Sequence, residues 1–194
     1  MTRPHHRPMT PGAGYFESIV GGTDPALVSE AADRAAALLV RGAHRSSDAG
    51  VAARVLHLAE TEGLETLADV WAGSPADSLA GCLFRLYVLR AWVYADPLLA
   101  SAQFDAGRSS AQFAQVVAGV ADPPGPEQLK AMTDEVLLGI AVGEFADVLL
   151  RASAFARVVA AGRAVRGEAD AVAMLSLAEQ LEAAAHLELR TGLA

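Results

Sequence analysis

Ser74 to Pro97 reads SPADSLAGCLFRLYVLRAWVYADP, and apolar side chains fall on almost every side of the helix it predicts. A helix that is apolar all round has little solvent face, so it must be either the centre of a helical fold or a buried contact surface. Both ends are legible. Ser74-Pro75-Ala76-Asp77 offers a capping hydroxyl, a proline that sacrifices no hydrogen bond in a first turn, and a carboxylate at the positive end of the helix dipole. The predicted start is therefore Pro75. Asp96-Pro97 repeats the device, closing this helix and opening another through Leu98, Leu99 and Ala102 toward Gly107.

Helix follows helix on either side. Thr23 or Asp24 caps a first helix with Pro25 at its first position, Leu27, Val28, Ala31, Ala35, Leu38 and Leu39 as its inward stripe, and Gly42 as its stop. Glu30 and Arg34 form a solvent-facing pair one turn apart. Ser47 caps a second helix with Val51, Val55, Leu58 and Ala59 inward, and after Gly63 a short third carries Leu64, Leu67, Ala68 and Trp71. Ser109 or Ser110 introduces a sixth with Phe113, Val116, Val117 and Val120. Beyond Ala121-Asp122-Pro123-Pro124-Gly125-Pro126, where successive prolines force the backbone out of helical geometry, a seventh uses Leu129, Met132, Val136 and Ile140. Gly143 turns the chain into an eighth, striped by Phe145, Val148, Leu149, Ala152, Phe155, Ala156 and Val159. After Gly162 and Gly167 a ninth runs from Glu168 toward Arg190, with Met174, Leu177, Leu181 and Ala184 or Ala185 on one side.

The expected fold is all-α, a compact multi-helix bundle of eight or nine helices. Residues 1–22, rich in Pro and Gly, are expected to form a flexible arm, and residues 23–194 a single domain with a sub-boundary at 121–126. Composition agrees: the chain of 194 residues is 53% hydrophobic, rich in Ala and Leu and almost without Ile. No solenoid period recurs.

A formal net charge of -8 argues against a phosphate backbone as the main partner, so no nucleic acid is expected. The tight second and third helices resemble no DNA reader, because Glu65 and Asp69 would meet the phosphates. No apolar run approaches the roughly 20 residues a membrane helix needs, and Cys82 alone cannot form an internal disulfide. A cytoplasmic protein with no membrane partner is the expectation.

Reactive constellations are sparse. No Cys pair or close His/Cys set suits zinc, and His5-His6 sits in the predicted arm. His57 with Glu60 lies off its helix's apolar stripe. Glu179, Glu182 and His186 share one face of the last helix at spacings of three and four, which makes them weak metal or acid-base candidates. Cys82 follows Gly81 in apolar company, the setting of an inert core thiol. Phosphate-cradling glycine loops and nucleophile elbows are missing from the sequence, and no cofactor is implied. Gly139 and Gly143 have the spacing of a close helix approach or a turn.

The remaining chemistry is on the central helix. Tyr87, Arg90 and Tyr94 lie along one stripe with Leu83, and Arg85 and Trp92 along another with Leu89. Tyr, Trp and Arg are the usual anchors of protein interfaces, so these five residues are the binding candidates. The expected function is a noncatalytic interaction protein, a homodimer or an adaptor, that self-associates through a helical surface, either this aromatic and arginine-bearing helix or the exposed side of the last one. The alternative is a module binding a small ligand in a pocket anchored by Arg85 or Arg90; a metal-assisted enzyme using Glu179, Glu182 and His186 is the weaker third.

Overall fold

The computed structural model describes residues 25–46, 70–108 and 124–193, and these form six helices with no strand among them. They are α1 (Pro25–Ser46), α2 (Leu79–Ala95), α3 (Pro97–Arg108), α4 (Pro126–Val142), α5 (Phe145–Val165) and α6 (Ala171–Thr191). The expected total of eight or nine is not supported. The predicted arm, the second helix, most of the third and the sixth lie outside the described residues.

Local chemistry sets the boundaries. Asp96 Oδ1 accepts the Leu99 N–H at 3.0 Å, so one residue ends α2 and caps α3, whose first position is Pro97. Gly125 precedes Pro126 at the start of α4, and Glu127 places a carboxylate in its first turn. Gly167 ends α5 in the left-handed region, at φ 71, where its N–H donates to Ala164 O and the Glu168 N–H to Arg163 O. That pair of bonds is the Schellman arrangement, which glycine enters without a Cβ penalty.

One cluster of buried side chains draws on all six helices. At its centre is α2, which packs against every other described helix, as an all-round apolar surface requires. Trp71 precedes it, stacking on Tyr87 at 6.1 Å between ring centroids and donating its indole N–H to Ala32 O at 3.2 Å. The most extensive pairing is α5 with α6. Alanines line much of that seam, and Ser153 Oγ donates across it to Ala178 O at 2.8 Å. Phe145, Val148, Leu149, Ala152, Phe155, Ala156 and Val159 are all buried, as their spacing predicted.

Four local expectations are corrected. The central helix starts at Leu79 and not at Pro75: residues 75–77 form a turn, and Ser78 is the cap, its Oγ accepting the Gly81 N–H at 3.1 Å. This turn folds back so closely that a Cβ on Gly81 would lie 1.8 Å from Pro75 O. Neither Gly42 nor Gly162 is a stop, since α1 and α5 run through them. Glycine inside a helix costs only about 1 kcal/mol, and at Gly162 close packing against α3 offsets that. Finally, α1 buries Ala32, Ala36 and Val40, whereas Leu27 and Leu38 of the expected inward stripe are 59% and 70% exposed.

Candidate functional site

The five aromatic and arginine residues of α2 are held by different neighbours and do not converge on one point. Arg90 is buried, and its Nε–H donates to Asp134 Oδ1 of α4 at 2.7 Å. The Tyr94 hydroxyl donates to Asp134 Oδ2 at 2.6 Å, so the carboxylate is gripped from both sides by residues one turn apart. The Arg90 guanidinium also lies 4.0 Å from the centre of the Tyr94 ring, with the Lys130 ammonium 5.5 Å away. This arrangement neutralises a charge that would be expensive to bury alone.

On another side of α2, Arg85 donates from Nε to Gln180 Oε1 at 2.7 Å and from Nη1 to Gly81 O at 2.8 Å. Tyr87 is inside, where burial pushes its phenol up to about 12 against the opposing pull of Arg90. Cys82 is also inside. Burial pushes its thiol up to about 12, with Arg85 pulling weakly the other way, and its Sγ–H donates to Ala76 O at 3.4 Å. A neutral thiol buried at physiological pH is no nucleophile.

Trp92 points to a cluster that sequence reasoning missed. The buried guanidinium of Arg163, on α5, sits 4.7 Å over the Trp92 ring. Its Nε–H donates to Gln103 Oε1 at 3.0 Å and its Nη1 to Asp170 Oδ2 at 2.7 Å. Gln103 in turn donates to Glu168, which also pairs with Arg166 at 2.6 Å. Five polar side chains from α3, α5 and the α5–α6 turn thereby satisfy one another beneath an indole. The only trace in the sequence is a charged residue directly after Gly162 in an apolar helix, which looked like a helix end.

Glu179, Glu182 and His186 part company. Glu182 pairs with Arg157 of α5, while Glu179 and His186 are exposed. No group of three metal-ligating side chains forms among the described residues, these three included. The chemistry of the region is ion pairing between helices.

Among the described residues α1 leaves an apolar strip uncovered, as α3, α5 and α6 leave Leu98, Val165, Val172 and Leu189 exposed. At about 100° per residue Leu27, Ala31, Ala35 and Leu38 fall within an arc of about 80°, all exposed, with Glu30 and Arg34 along one edge. Their spacing was visible in the sequence, but α1 carries two apolar stripes and the wrong one was assigned to the core. The smaller stripe, Ala32, Ala36 and Val40, is the one that packs on α2 and α4.

Comparison with protein-family models, curated proteins and solved structures finds no match for this chain. No described helix is long and apolar enough to cross a membrane.

Proposed function

We propose that this chain is a noncatalytic interaction protein that self-associates through a helical surface, and that the surface is the outer face of α1. The observation that supports it is Leu27 and Leu38, 59% and 70% exposed, one at each end of a strip containing Ala31 and Ala35. The strip extends about 16 Å at 1.5 Å per residue, long enough for two turns of a facing helix to lie on it. In this reading Arg85, Tyr87, Arg90 and Trp92 are framework residues, since each is engaged within the chain, and Tyr94 is the one exposed member of the set. Residues 23–194 act as one domain, which the buried cluster shared by all six helices supports.

The test is mass against concentration by sedimentation for the wild type and for Leu27→Asp with Leu38→Asp. The wild type is expected to shift from monomer to dimer with concentration, and the variant to stay monomeric with unchanged circular dichroism. A variant that associates like the wild type would remove α1 from the reading.

A further inference from the structure

Building on the reading of α1 as the contact face, we infer that the partner is a second copy of this chain, its α1 lying antiparallel across the first about a two-fold axis. The asymmetry of the charged edge carries this. Glu30 and Arg34 both lie on the same side of the strip, 63% and 68% exposed, and currently pair with each other at 2.5 Å. A two-fold axis perpendicular to two facing helices reverses their direction while bringing like edge against like edge. Centring it midway along the strip sets Leu27 against the partner's Leu38, places the small Ala31 and Ala35 where the backbones approach, and brings Glu30 level with the partner's Arg34. Each copy then offers an acid and a base in inverted order, so the edge is complementary to itself. A parallel pair would set this charged edge against the opposite edge of the other helix, that of Leu39, an apolar residue packed against the core, where no charge answers it. The third charged group on that edge, Arg41, is already committed to Glu188 of α6 and does not compete.

Charge exchange tests the arrangement, read as dimer dissociation constants by sedimentation. Glu30→Arg alone and Arg34→Glu alone are each expected to weaken self-association about tenfold, because both symmetry-related pairs become repulsive. Mixing the two variants one to one should restore near wild-type association as a heterodimer. So should the double exchange Glu30→Arg with Arg34→Glu, which preserves the pairing. Repulsion within one helix explains the loss in the single variants but not recovery on mixing. Self-association that is lost in the Leu27→Asp, Leu38→Asp variant yet indifferent to both single charge changes overturns the antiparallel pairing and leaves the α1 contact standing. A wild-type chain that stays monomeric at every concentration overturns both.

Discussion

Two buried acid groups weaken the chain in alkali. Cys82 and Tyr87 both have their acid groups raised to about 12 by burial, from ordinary values of 9.0 and 10.0. The folded chain therefore holds protons that the unfolded chain has released, and stability present below about pH 9 is lost as the pH rises toward 12. Urea midpoints should fall between pH 8 and about pH 10.5, with Cys82 accounting for roughly 2 kcal/mol at the upper end. Cys82→Ala should make the decline shallower, and the native thiol should resist a thiol reagent until urea unfolds the chain. Asp134 tests the buried charge of Arg90. Asp134→Ala removes the carboxylate that accepts from both Arg90 Nε and Tyr94 Oη, so thermal melting should report a loss of about 2 to 3 kcal/mol. That is less than a fully enclosed pair would lose, because Asp134 keeps 26% of its side-chain exposure. Tyr94→Phe gives up one hydrogen bond and should cost about 1 kcal/mol by the same measurement.

Among the elements, α3 and α5 cross with backbone against backbone. A Cβ on Gly107 would sit 1.8 Å from Val158 O, and one on Gly162 would sit 1.7 Å from Gln103 O. Each helix presses its glycine against a carbonyl of the other, and Phe104 stacks on Phe155 at 5.4 Å alongside. Alanine normally improves a helix by about 1 kcal/mol over glycine. Here Gly162→Ala or Gly107→Ala must push two backbones apart and should lower stability by about 3 kcal/mol or more in urea titration. Gly73→Ala, with nothing near its Cβ, is the matched control and should be neutral. This crossing was not legible in the sequence, where Gly162 and Gly107 looked like ends of helices. The stripes of α5 and α6 were legible, because each has a single apolar period and its partner lies next in the chain. α1 has two apolar stripes about 145° apart around its axis, and only the shape of what it meets could choose between them.

Over the whole molecule, long-range pairs tie together elements that local signals cannot relate. Arg41 near the end of α1 holds both carboxylate oxygens of Glu188 on α6, and the Leu193 N–H donates to the same carboxylate at 2.7 Å. The Glu188 carboxylate, with its hydrogen bond, holds the Arg41 guanidinium more firmly protonated than usual. With Arg41 a third exposed, Arg41→Ala should cost about 1 kcal/mol, and hydrogen exchange at the Leu193 amide should quicken as the carboxylate is released. The amino-acid sequence by itself determined that the described chain is helical, where most of those helices begin and end, and that the Ser74 to Pro97 helix is either the centre of the fold or a buried contact surface. Capping, proline geometry and hydrophobic period act within a few residues, so they can be read without knowing the fold. Tertiary structure alone decided that Arg90 meets Asp134, that Arg163 lies under Trp92, and that Leu27 and Leu38 face outward. Those outcomes depend on which surfaces meet across 40 to 150 residues of chain, and at that distance only packing geometry and the cost of burying charge select the partner.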